Sequence, residues 1–139
     1  MINLIAGVKG TGKTKILIDK VNDAAKITRG YVVCLEYGKK LKFNVFSQVR
    51  LIDTQDYKIS SGDSLYGFVC GLLAGNYDIT ELFIDSALKM CRDDMAESES
   101  FFLRLSEIIE EQNIHCLITA STEESALPDS LKGFLYNAE

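Results

Sequence analysis

Apolar residues fall along this chain in two kinds of pattern, short runs and longer helical stripes, and they alternate. Ile2, Leu4 and Ile5 form a short run closing at Gly7, which predicts a first strand. Ile16, Leu17, Val21, Ala24, Ala25 and Ile27 then recur at helical spacing and stop at Gly30, which predicts a helix. Segment 31–36, YVVCLE, is a β-branched run bounded by glycines and predicts a second strand returning beside the first. In 41–53 the pieces LKFNVF and VRLID look extended behind a Gly38-Lys39-Lys40 turn, so a hairpin flap is expected there.

Asp63 or Ser64 is positioned to cap a helix carrying Leu65, Phe68, Val69, Leu72 and Leu73, with Gly75-Asn76 as its stop. Segment 79–85, ITELFID, has a continuous apolar centre, as a strand covered on both faces requires. Across 93–112, Met95, Phe101, Phe102, Leu105, Ile108 and Ile109 keep helical spacing with acids between them, and 114–120 supplies another strand. Segment 125–139, with the lone Pro128, yields no readable element.

Strand and helix in repeated succession predict an α/β fold: a three-layer sandwich around a mainly parallel central sheet. At 139 residues, 47% of them hydrophobic and 25% charged, the chain suits one core, so a single domain over 1–139 is expected. The net charge of −5 argues against affinity built on coating phosphate backbones, and nucleic acid is not an expected partner. The longest weakly polar stretch, 65–75, falls well short of the roughly 18 to 20 apolar residues of a membrane span. The first residues lack the basic flank and apolar region of a secretory signal. Cys34, Cys70, Cys91 and Cys116 are scattered through apolar runs without zinc or redox spacing. Buried thiols in a reducing cytoplasm are the expectation.

The sharpest chemical signal is Gly7-Val8-Lys9-Gly10-Thr11-Gly12-Lys13-Thr14, which fills every fixed position of glycine, four residues, glycine, lysine, serine or threonine. At average residue frequencies such a match arises in roughly one chain of this length in a few hundred. It also lies directly between a predicted strand and a predicted helix, where its mechanism needs it. Glycines let the backbone approach a polyphosphate, amides from Lys9 to Thr14 can donate to it, and Lys13 adds a full charge at the outer phosphates. The Thr14 hydroxyl suits a magnesium ion, which takes few protein oxygens and keeps several waters.

Such an ion calls for an acid at the carboxyl end of a neighbouring strand. Asp85, closing Leu82-Phe83-Ile84, fits best; Asp53, behind a shorter strand that contains Arg50, is the weaker competitor.

With these residues in place, the chain resembles the P-loop NTPase superfamily in its RecA-like branch, the 7–14 segment matching the Walker A motif and 82–85 the Walker B motif. It is also similar to a set of small bacterial ATP-binding proteins labelled twitching-motility or pilus-retraction ATPase-like. The resemblance implies binding of ATP or GTP with magnesium, Lys13 and Thr14 in the Walker A roles and Asp85 as the Walker B acid. Slow or partner-stimulated hydrolysis is the first expectation, the partner being another protein or a second copy of this chain.

Where RecA-like members commonly carry a glutamate after the Walker B aspartate, this chain has Ser86. Glu36, at the end of the second predicted strand, is then the candidate catalytic base, as in some RecA-like relatives. Ser86 also favours a non-hydrolysing, nucleotide-dependent binding module; a small-molecule kinase is the third reading. No Asn-Lys-x-Asp or Thr-Lys-x-Asp segment is present, so ATP is preferred over GTP. Thr119, Ser121 and Thr122 are read as a phosphate sensor or as turn residues, and His115 as a packing residue. Arg92 and Arg104, and the Lys39, Lys40 and Lys42 cluster, are read as solvated surface groups.

Overall fold

The first turn of chain runs from an apolar strand through a glycine loop into an amphipathic helix, and the rest of the fold repeats that logic around one sheet. The computed structural model describes residues 1–136. Five strands, β1 (Ile2–Gly7), β2 (Tyr31–Glu36), β3 (Arg50–Asp53), β4 (Ile79–Ile84) and β5 (His115–Ser121), form an all-parallel sheet in the order β1-β5-β4-β2-β3. The helices are α1 (Lys13–Ile27), α2 (Gly62–Gly75), α3 (Ala87–Met90), α4 (Met95–Gln112) and α5 (Asp129–Lys132).

Alternation along the strands divides the apolar side chains between two layers. Val33, Leu35, Leu82, Ile84, Cys116 and Ile118 pack with Leu65 and Val69 of α2 and with Phe101, Leu105 and Ile109 of α4. Their neighbours Val32, Cys34, Phe83 and Leu117 face Leu17, Val21 and Ala24 of α1, together with Leu41 and Val49. The unbroken Leu82-Phe83-Ile84 run is thereby explained: both faces of β4 are covered, as in other parallel sheets. Three-layer α/β architecture follows directly from that division.

Several expectations are corrected. Strand β2 does not lie beside β1; it pairs with β4 on one side and β3 on the other, leaving β5 and β4 between it and β1. Nor is 41–53 a hairpin. Only Arg50–Asp53 is a strand, and it pairs with β2 in parallel, so the chain must first climb back across the α1 face. The Glu36 carboxylate holds that path by accepting the amides of Lys40 and Leu41 at 2.8 and 3.0 Å. Asn22 of α1 holds it further on, donating to the Asn44 carbonyl and accepting the Phe46 amide, both at 2.9 Å. Those bonds use amide and carbonyl groups that an LKFNVF strand needs for a ladder.

Helix α2 is capped by Ser61, in a reciprocal box with Ser64, rather than by Asp63 or Ser64. Helix α4 begins at Met95 under an Asp94 cap, and the short α3 between β4 and α4 has no counterpart in the sequence reading. Segment 125–139 contributes α5 and a parallel bridge from Leu135 to Leu4 of β1; residues 137–139 lie outside the described residues. Cys34, Cys70, Cys91 and Cys116 are free thiols, three of them buried. Among the described residues no helix is long and apolar enough to cross a membrane.

Asp53, at the end of the edge strand β3, fastens the turn after β2. Burial opposes its ionisation, but the Gly38 and Gln55 amides, at 2.9 and 3.0 Å, and Lys39 outweigh it, so its pKa lies below the usual value. A carboxylate depressed in this way stabilises the fold above its unfolded pKa and loses that contribution as pH falls through the folded one. Asp53→Ala is expected to cost about 1–3 kcal/mol at neutral pH. Urea unfolding repeated toward acid pH should show the gap to the wild-type chain closing.

Candidate functional site

The loop 7–14 turns sharply because Gly10 and Gly12 adopt φ of +89° and +88°, a region that costs residues with a Cβ about 1 kcal/mol or more. Thr11 folds the loop onto itself, its amide and hydroxyl both donating to the Val8 carbonyl at 3.3 and 2.8 Å. Helix α1 then starts at Lys13 with Gly12 as its cap, no capping side chain and no acid in its first turn. Helix geometry leaves the first amides without intrahelical acceptors and gives this end a partial positive charge. A sequence that places neither Ser, Asp nor Glu here leaves those donors free for an anion.

Lys13 is buried, and its Nζ donates to the Val8 carbonyl at 3.2 Å. Burial lowers its pKa; the Asp85 carboxylate opposes that shift and the Lys89 ammonium adds to it. The Lys13 charge therefore sits where a second anion relieves it.

Asp85 follows β4 directly and is only 6% exposed. Its Oδ1 accepts the Thr119 hydroxyl of β5 at 2.7 Å and the Thr14 hydroxyl of α1 at 3.3 Å. Thr119 Oγ1 in turn accepts the Ser86 amide at 2.8 Å, and the Asp85 amide donates to the Leu35 carbonyl of β2 at 2.9 Å. One residue thus ties the end of β2 by its amide, and the end of β5 and the start of α1 by its carboxylate, to the end of β4. Although β5 lies between β1 and β4, the carboxyl edge brings Asp85 and Thr14 together over it. Their oxygens side by side fit magnesium, which needs few protein ligands. Among the described residues no group of three or more His, Cys, Asp or Glu is arranged to hold a metal, so water and phosphate oxygens would supply the rest of the shell.

Lys13, Thr14 and Asp85 line a cavity of about 300 Å³ together with Lys40, Leu41, Ser86, Lys89 and Ser121. Lys9, Lys13, Lys15, Lys40 and Lys89 surround it with Asp85 as the one carboxylate in its wall, a concentrated positive region on a chain of net charge −5. Fields focused in such a cleft draw anions.

The other sequence candidates fall elsewhere. Asp53 lies on β3, with three strands between it and β1, and is engaged by Gly38, Gln55 and Lys39. Glu36 is buried, and its Oε1 carries the Lys40 and Leu41 amides, which accounts for its burial without proton transfer. Thr122 donates to the Glu123 carbonyl and forms an isolated antiparallel bridge with Gly7, whereas Thr119 positions Asp85. His115 is exposed at the start of β5, so the expected packing role is corrected; β5 enters the core only at Cys116. Arg104 pairs with Asp63 at 2.9 Å and lies over the Tyr66 ring, and Arg92 donates to Ser60 Oγ, so both are tied within the chain. Lys39 pairs with Asp53 and Asp56, while Lys40, expected to be merely solvated, reaches the cavity. Lys40 and Lys89 were not legible as site residues. The available signal at Lys89 is that it is the lone polar residue in Ala87-Leu88-Lys89-Met90, whose other three side chains are buried.

Neither a protein-family model nor a curated protein sequence matches this chain.

Thr119→Val keeps the shape of the residue and removes the hydroxyl shared by Asp85 and the Ser86 amide. The expected cost is about 1–3 kcal/mol for leaving buried polar groups unsatisfied. Chemical denaturation of the purified variant checks this; an unchanged midpoint would show that the hydroxyl does not position Asp85.

Proposed function

We propose that this chain is a P-loop protein that binds a nucleoside triphosphate, ATP in preference, together with magnesium. The observation that carries the reading is the convergence on one cavity of an uncapped helix start, the Lys13 ammonium, and the Thr14 hydroxyl bonded to buried Asp85. Amides from Lys9 to Thr14 cradle the phosphates, with Gly7, Gly10 and Gly12 allowing the approach. Lys13 would neutralise the outer phosphates, and Thr14 and Asp85 would hold the ion, whose charge would offset that of the phosphates. Thr119 keeps the Asp85 carboxylate in line.

Slow or partner-stimulated hydrolysis is one outcome of such a site. The second reading, binding without turnover, is favoured by two observations. Ser86 stands where a water-orienting glutamate is common, and the nearest alternative base, Glu36, holds backbone amides at the root of segment 38–49. Because Lys40 and Leu41 of that segment line the cavity, bound phosphate bears on its conformation, which suits a module that docks a protein partner.

Calorimetric titration with ATP, GTP and their diphosphates, with and without magnesium, tests the proposal. Lys13→Ala is expected to weaken magnesium-ATP binding by about 1.5–3 kcal/mol, the range for hydrogen bonds to charged groups. Asp85→Asn is expected to remove most of the magnesium dependence while leaving metal-free binding in place. Release of inorganic phosphate by the wild-type chain then separates turnover from binding alone. Absence of binding to any of the nucleotides sinks the proposal.

A further inference from the structure

Helix α3 is only one turn long, and it is held between backbone outliers. Ser86 before it has φ of +67°, and Arg92 and Asp93 just after it have +57° and +58°. Each non-glycine residue in the left-handed region costs about 1–3 kcal/mol, and such costs persist where the surroundings enforce them. Here the surroundings do so visibly. Ala87, Leu88 and Met90 are buried in the main core, the Ser86 amide is bound by Thr119, and the Asp93 amide returns to the Leu88 carbonyl at 2.7 Å.

The one side chain of α3 left out of that core is Lys89, and it lines the cavity together with Lys13, Thr14 and Asp85. Among the described residues Lys89 makes no ion pair, whereas Lys15 at the rim is paired with Asp19 and Lys39 with Asp53 and Asp56. A strained, core-anchored turn thus presents an unpaired cation to the cavity that Lys13 also lines. That arrangement is unfavourable until an anion of high charge density joins the two ammonium groups.

We propose that Lys89 is a phosphate-contacting residue whose ammonium engages the outermost phosphate of a bound nucleoside triphosphate, so that the chain distinguishes triphosphate from diphosphate without a cation lent by a partner. The inference rests on the nucleotide-binding reading above and adds to it the residue that reads the third phosphate. Lys13 reaches the ligand from the helix that cradles the phosphates and Lys89 from the turn that follows Asp85. Charge stabilisation of this kind from within one chain does the work that an arginine supplied in trans does in other phosphoryl-transfer sites.

The test is calorimetric titration of the wild-type, Lys89→Ala and Lys15→Ala chains with magnesium and either a non-hydrolysable ATP analogue or ADP, with thermal unfolding of each ligand-free chain as the folding control. Lys89→Ala is expected to weaken the triphosphate analogue at least tenfold and to leave ADP within about twofold, while Lys89→Arg restores most of the difference. Lys15→Ala, at the rim, is expected to shift the two ligands equally. Equal weakening of both ligands by Lys89→Ala, or no change in either, overturns the assignment of Lys89 while the nucleotide reading stands. A wild-type chain that binds neither ligand removes that reading and this inference together.

Discussion

A carboxylate buried at the end of a central strand is the constraint on which the site depends. Removing Asp85 from water is unfavourable unless hydroxyls, amides or a cation take the place of hydration. The fold meets that demand with Thr119 from one strand and Thr14 from the first turn of α1, and with the Lys13 charge close by. Because these donors come from distant parts of the sequence, satisfying one acid fixes how β4, β5 and α1 meet. The order of the sheet, the start of the helix and the chemistry of the cavity are then aspects of a single local balance.

Charge distribution points the same way at a larger scale. The chain is acidic as a whole, yet its lysines gather around one cavity whose wall contains a single carboxylate. Away from that cavity Lys39 is answered by Asp53 and Asp56 and Arg104 by Asp63, and at its rim Lys15 pairs with Asp19.

Much of this was legible in the sequence, for reasons that can be stated. The elements β1, α1, β2 and α4 announce themselves through periodicity, and the 7–14 loop through glycines whose spacing has a mechanical meaning. Asp85 was readable because it closes an apolar run buried on both faces. What escaped was what depends on tertiary placement. Residues 41–46 have the composition of a strand, but Glu36 and Asn22 capture their backbone from outside the segment. The position of β2 away from β1 is set by which strand fills the gap, and no local pattern encodes that. Helix α3 is too short to show a period, which hid Lys89, and Ser61 caps α2 from ahead of the residues whose side chains drew attention.

Strand β5 has an implication for how this protein comes into being. Gly7 lies opposite Ser121 in the sheet, and Thr119 from the same late strand completes the Asp85 contacts. During synthesis the glycine loop 7–14 therefore emerges from the ribosome long before the strand that flanks it, and a nascent chain halted before His115 has that loop without Thr119 and Ser121 beside it.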